Sequence, residues 1–241
     1  MEKKFELTEN YVVNEFGTKL YQIKCTKTFE YAKEGEIGGF IEKEENLSQE
    51  GDAWVADTAW VSGDALVSGD ARVFGNARVY GTAWVSGNAR VYGNARVYGT
   101  AWVAGTAWVA GNARVYDDAC VADNARVFGN AQVAGAARVA GAARVAGNAR
   151  VYDDACVSGT ACLKSDADHC GFDCFGSSNR HTHAYLTRDN TVEITCGCFR
   201  GSIGEFEKRV KNTHAGTVYE NQYNAIINVI KIKFGLDETS K

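Results

Sequence analysis

Proline is absent from this 241-residue chain, so no proline-stiffened linker separates its segments. Apolar runs of about eighteen residues are missing too, so the sequence encodes no membrane-spanning helix. The opening Met1-Glu2-Lys3-Lys4-Phe5-Glu6 lacks the apolar core of a secretory signal. Histidine is scarce: His169, His181, His183 and His214 all lie beyond residue 164, which leaves the first two-thirds of the chain without the commonest general base. Strong charge bias is lacking as well. The net charge of −4 divides into 7 basic and 11 acidic groups over 1–50, 10 and 9 over 51–164, and 9 and 10 over 165–241, which singles out no class of partner. With no export signal in view, the eight cysteines read as reduced thiols, and a cytoplasmic location is expected.

What the chain has in abundance is repetition. From Gly51 to Lys164 a six-residue unit recurs nineteen times without insertion or deletion. It reads Gly or Asp, a polar residue or Ala, Ala, a variable residue, Val, and a second variable residue. Ala holds its place in every unit, from Ala53 to Ala161, and Val in eighteen, with Leu163 closing the series. Such a period cannot be helical, because 3.6 residues per turn would scatter Ala and Val around the cylinder. In a strand, residues two apart share a face, so Ala and Val both point inward and the variable residues outward. Gly supplies positive φ at each corner, and Asp57, Asp117, Asp123 and Asp153 are the tolerated substitutes. Short strands turning onto one inner face make a solenoid.

An aliphatic residue followed four later by a small one, as in Val55 to Ala59 and Val61 to Ala65, resembles the bacterial hexapeptide-repeat family. The resemblance implies a left-handed parallel β-helix with three hexapeptides per triangular coil, about six coils here and on the order of 30 Å long. Outward residues eighteen apart then stack. The first face presents Trp54, Arg72, Arg90, Trp108, Arg126, Arg144 and Cys162. The second presents Trp60, Arg78, Arg96, Arg114, Gln132 and Arg150 beside Ser62, Tyr80, Tyr98, Tyr116, Ala134 and Tyr152. The third presents Leu66, Trp84, Trp102, Cys120, Arg138 and Cys156 beside Ser68, Ser86, Ala104, Ala122, Ala140 and Ser158.

The third face is apolar and flat, which marks a contact surface. Leu66, Trp84, Trp102, Ala104, Ala122 and Ala140 are therefore expected to meet another subunit or the C-terminal module. A homotrimer is the first expectation, since hexapeptide-repeat proteins often trimerise. On the second face Arg78, Arg96, Arg114 and Arg150, with Tyr80, Tyr98 and Tyr116, form a candidate anion or nucleic-acid surface. Ordinary outward β-surface residues would read the same way, and Asp52, Asp64, Asp70, Asp118 and Asp154 at the corners offset the charge.

Many members of the resembled family are acyltransferases that use acetyl-CoA and a catalytic His, often with a loop interrupting the coils. This repeat has neither, so no catalytic residue is assigned and a binding or scaffold role is expected over catalysis, with no obligatory cofactor. An acyltransferase-like enzyme and a structural or virion component stay open.

Residues 1–50 read as a small β-rich cap, with strands over Phe5–Val13 and Lys19–Lys27 joined through Gly17, then a run from Gly35 to Gly51 leading into the first coil. That run resembles the entry segment of hexapeptide-repeat proteins from bacteria and their phages. Residues 165–241 read as a small α+β module. A hairpin is expected over His183–Arg188 and Thr191–Cys196, and capping boxes at Ser202 and Thr217 open helices over Glu205–Asn212 and Val218–Phe234. The run from Val192 to Glu207, followed by Lys211-Asn212-Thr213-His214, resembles a C-terminal module of phage and prophage proteins. These resemblances imply a phage or mobile-element origin and a partner in the host, either a protein or a nucleic acid; one concrete form is an inhibitor of a host defence macromolecule. Cys170, Cys174, Cys196 and Cys198, near His169, His181 and His183, are candidate ligands for a structural zinc ion. Buried small residues or free thiols are the alternative reading and the one favoured by the spacing, which lacks the Cys-x2-Cys pairs of a standard zinc knuckle, and redox chemistry is a third.

Overall fold

The computed structural model describes residues 3–236. Each hexapeptide forms one two-residue strand, from β4 (Trp54–Val55) to β22 (Cys162–Leu163). Strands eighteen residues apart pair in parallel, as Arg96 does with Arg78 and Arg114, so three sheets wall a prism. The bonding is regular: each coil donates to the next, with Arg78 N–H reaching the Ala95 carbonyl at 2.9 Å and Tyr80 N–H the Val97 carbonyl at 3.0 Å. Inside, Val55 to Val157 are fully buried, and the repeat alanines are at most 4% exposed. Each Val contributes roughly 1.5–3 kcal/mol by burial, spread evenly rather than gathered in one core. At the corners the requirement for Gly is steric as well as conformational. Gly87 has φ +65°, and a Cβ there would lie 2.9 Å from the Gly105 carbonyl oxygen of the next coil.

At the N-terminal end, β1 (Phe5–Val13) and β2 (Lys19–Cys25) pair antiparallel, and β2 pairs antiparallel with β3 (Ile37–Ile41). Strand β3 then stacks in parallel on the solenoid, Phe40 against Trp60 and Ile41 against Val61, while Leu47 bridges Val67. The parallel stack thus begins before residue 51. Ile41 and Leu47 keep the six-residue spacing, but two extra residues before Val55 break the register, which is why the repeat looks shorter in sequence. With this entry turn the solenoid has about seven turns, one more than the six implied by counting hexapeptides.

Because each coil donates to the next, the first coil has carbonyls with no coil beneath to donate to them, and side chains supply the donors. Asn46 Nδ2 donates to the Gly63 and Ala65 carbonyls at 2.9 and 2.8 Å. Lys4 Nζ donates to those of Gly51 and Ala53 at 3.1 and 2.9 Å, and burial pulls its ammonium pKa down to about 8.

The last coil is closed by an antiparallel sheet in chain order: β23 (His169–Phe175), β24 (Arg180–Leu186), β25 (Val192–Cys196) and β26 (Phe199–Ser202). Helices α1 (Ile203–His214) and α2 (Val218–Lys233) follow, capped by Ser202 and Thr217. The expected hairpin and both helices are present; α1 starts two residues earlier than the spacing implied. One sheet face carries Ala184, Ile194 and Cys196, which pack with Phe206, Val210, Tyr223, Ile226, Ile227 and Ile230 of the helices. The other face turns to the solenoid, and Tyr185, fully buried, joins the solenoid core. Strand β23 escaped the sequence reading because its solenoid-facing positions are His169, Gly171 and Asp173 rather than aliphatic residues.

Candidate functional site

The three faces form with the residues that the eighteen-residue stacking assigns to them. On the second face the rings of Tyr80, Tyr98 and Tyr116 stack at 4.9 and 5.0 Å with planes within 3°. Mutual burial raises the Tyr80 and Tyr98 hydroxyl pKa values. Ala134 interrupts the ladder, and Tyr152 leans across it. The Tyr152 hydroxyl donates to Gln132 Oε1 at 2.7 Å, and Ala134 is 2% exposed. Burial pushes the Tyr152 pKa up to about 12.

The four arginines assigned to this face are not equivalent. Arg78 lies over Trp60 at 4.4 Å, and its Nη1 donates to both carboxylate oxygens of Glu15 at 2.9 and 2.8 Å, so the N-terminal hairpin occupies it. The guanidinium groups of Arg96, Arg114 and Arg150 have no carboxylate partner among the described residues.

The first face holds a second aromatic column that the sequence reading passed over, because on this face alone it followed only the residue ahead of Val. Phe74 and Tyr92 stack at 5.0 Å with planes 5° apart; Ala110, Phe128 and Ala146 continue the column. Beside it Trp108 is sandwiched between the guanidinium groups of Arg90 and Arg126, at 5.5 and 4.4 Å from the ring. The same eighteen-residue stride, applied one position after Val, would have found it. The corner shared by the first and second faces is an amide ladder. Asn76, Asn94, Asn112, Asn130 and Asn148 each pass a side-chain hydrogen bond to the next at 3.0–3.3 Å.

Stacking also sorts the charge. Of the nine arginines in the repeat, Arg72, Arg90, Arg126 and Arg144 lie on the first face and Arg78, Arg96, Arg114 and Arg150 on the second; only Arg138 is on the third. The shared corner carries one acid, Asp57. The other eight aspartates sit at the two corners that flank the third face: Asp64, Asp117, Asp118, Asp153 and Asp154 on one side, Asp52, Asp70 and Asp123 on the other. A segment nearly neutral by count is therefore basic along one edge and acidic along the opposite side.

On the third face Trp84 and Trp102 are 50% and 48% exposed and meet edge to face at 5.9 Å. The C-terminal module does not cover them. It sits on the end of the prism, where Thr195 Oγ1 donates to the Cys156 carbonyl at 3.1 Å and Arg188 N–H donates to that of Thr160 at 3.0 Å. Of the two occupants expected for this face, the module is thereby placed elsewhere, on the last coil's open end, where Tyr185 joins the solenoid core.

The candidate zinc ligands do not come together. Cys170 and Cys196 lie on the helix side of the sheet with β24 between them, and Cys196 accepts from Thr182 at 3.3 Å; Cys174 and Cys198 are exposed. Among the described residues no three Cys, His, Asp or Glu are arranged to hold a metal ion. Three of the four histidines do gather, on the side facing the solenoid, while His214 lies on α1 against Tyr219 and Tyr223. His169 Nδ1 is 2.9 Å from His183 Nε2, His183 Nδ1 is 3.3 Å from the Cys156 carbonyl, and His181 Nδ1 is 2.5 Å from Asp173 Oδ1. Neutral His169 and His183 rings fit the first two contacts, each Nδ1–H donating, while Nε2 of His169 and of His181 is buried without a hydrogen-bond partner among the described residues. Burial lowers the pKa of His183 to about 3 and that of His169 in the same direction.

A family model described as YdcK Beta solenoid repeat matches residues 71–87 and 89–105, two successive turns of the prism. The match supports a repeat β-solenoid protein and covers a small part of the chain. No curated protein matches it.

Proposed function

We propose that this chain is a non-catalytic binding protein: a rigid prism that engages an anionic macromolecule along the edge between its first and second faces. The observation that carries this reading is the segregation of eight of nine repeat arginines onto those two faces, around an Asn-lined corner whose one acid is Asp57. Stacked Tyr and Phe rings between the arginine columns give flat, low-entropy contact area. The resemblance of both ends of the chain to phage and prophage proteins supports a partner in a host cell, with the protein acting as an accessory factor or inhibitor there. The exposed Trp84 and Trp102 face supports association between copies, with a trimer as the form to test first.

The test is the salt dependence of binding to a labelled single-stranded oligonucleotide and to heparin. Each phosphate contact contributes about 0.7 to the slope of log affinity against log salt. The variant Arg96→Glu/Arg114→Glu should weaken binding of both polymers and flatten the slope by about 1.4, two contacts' worth. Unchanged affinity and slope for both would sink the reading.

A further inference from the structure

Between Phe74 and Phe128 the aromatic column of the first face lacks one ring, at Ala110, and a cleft opens there. Phe74 and Tyr92 stack at 5.0 Å. The next place is Ala110, and the one after it is Phe128. Tyr92 and Phe128 are two turns apart, roughly 9.6 Å along the prism, so a flat ring above Ala110 would lie about 4.8 Å from each. The second face shows that column when filled: Tyr80, Tyr98 and Tyr116 occupy three successive turns at 4.9 and 5.0 Å.

Ala134 leaves a similar vacancy on the second face, but there Tyr152 covers it through its bond to Gln132. On the first face Trp108 stands edge-on to Tyr92 at 6.5 Å and walls one side of the gap, and no ring among the described residues stacks over Ala110. The space is a cleft of about 240 Å³ lined by Tyr92, Trp108, Ala110, Arg126, Val127 and Phe128. Its floor, Ala110, is 7% exposed, and its outer wall, Phe128, is 40% exposed.

We infer that this cleft is an intercalation slot for one nucleobase of a single-stranded nucleic acid; the inference rests on the anionic-partner reading above and names the partner's chemistry. A base is a planar ring system that stacks between two aromatic faces whatever its sequence. Charge complementarity selects it over an uncharged aromatic group. Arg90 and Arg126 flank Trp108 at the cleft, Arg144 lies one turn on, and none of the three has a carboxylate partner among the described residues. They are placed to take the phosphates on either side of an inserted base. At the rim, Asn112 spends one N–H and one lone pair in the amide ladder. It retains one of each for a base edge.

The experiment compares a labelled oligonucleotide of about 12 nucleotides with its abasic counterpart, which has the same phosphates and no bases, by fluorescence anisotropy. The slot requires the base-bearing strand to bind about tenfold tighter or more. Ala110→Phe completes the ladder from within, and should bind both strands with the affinity that the original protein has for the abasic one. Far-ultraviolet circular dichroism and the melting temperature check that this variant is folded; if it is not, the abasic comparison alone decides. Equal binding of the two strands, or a preference that survives Ala110→Phe, overturns the slot while leaving the anionic-partner reading standing. Failure of both strands and of heparin to bind overturns both. Displacement of the oligonucleotide from the cleft by an acidic peptide bearing Phe or Tyr, at lower concentration than by free oligonucleotide, would assign the slot to a protein side chain instead.

Discussion

Acid should loosen the seam between the solenoid and its C-terminal module, and His183 should account for much of the effect. The ring is 1% exposed and wedged between His169 and the Cys156 carbonyl. Burial is the main reason its pKa falls from 6.5 to about 3, followed by the neighbouring His169 ring. The folded protein therefore keeps His183 neutral in a range where the unfolded chain takes up a proton. The stability that depends on the neutral ring is intact above the unfolded value of 6.5 and drains away as the pH falls towards 3. Between pH 7 and about pH 5 this costs about 2 kcal/mol. His169, shifted in the same direction by burial, adds to the loss.

His183→Asn keeps a donor for the Cys156 carbonyl and removes the titration. It should be less stable at neutral pH, yet lose about 2 kcal/mol less on acidification. Urea unfolding at the two pH values measures this, and two probes separate the parts. All five tryptophans lie in the solenoid, so their fluorescence follows the prism, whereas helical circular dichroism follows α1 and α2. Carboxylates with lowered pKa values, Asp64 and Glu205, titrate below this window in both proteins. Equal losses for His183→Asn and the original protein would refute the argument that the buried imidazole is the acid-sensitive group.

The corner geometry makes a second prediction. Gly87→Ala would force a Cβ to within 2.9 Å of the Gly105 oxygen at φ +65°, and should destabilise the prism by about 1–3 kcal/mol; a melting temperature unchanged from the original would contradict the steric reading of the corners. On the third face, Trp84→Glu/Trp102→Glu leaves the interior untouched, since both rings are about half exposed. It should convert any oligomer to monomer by light scattering with little change in melting temperature, and an unaltered mass above that of the monomer would place the subunit contact elsewhere.

The architecture was legible because it follows from local chemistry repeated without error. An Ala and a Val two residues apart, with Gly or Asp at each corner, admit only an inward-facing strand and a tight turn. Eighteen residues per turn then assign every outward residue a neighbour. The capping helices were legible for a similar reason, since Ser202 with Glu205 and Thr217 with Glu220 are contacts made within one turn. The entry turn was harder, because two extra residues before Val55 hid Ile41 and Leu47 from a strict six-residue count. The cysteine spacing suggested a common ligand set, but strand pairing placed Cys170 and Cys196 on either side of β24 and left Cys174 and Cys198 exposed.

By itself the sequence determined the period, the inward Ala and Val, the members of each outward column and the turn residues, all set by the backbone's steric limits and by burial within a few residues. Tertiary structure alone decided what those columns amount to. Wrapping brought eight arginines to one edge and eight aspartates to the opposite side, although summed along the chain they nearly cancel. It also set the module on the prism's end, occupied Arg78 with Glu15, covered Ala134 with Tyr152 and left Ala110 open. Each of these depends on groups from distant parts of the chain meeting in space. A linear reading ranks residues by their neighbours in sequence, whereas charge and exposure are settled by neighbours one coil away.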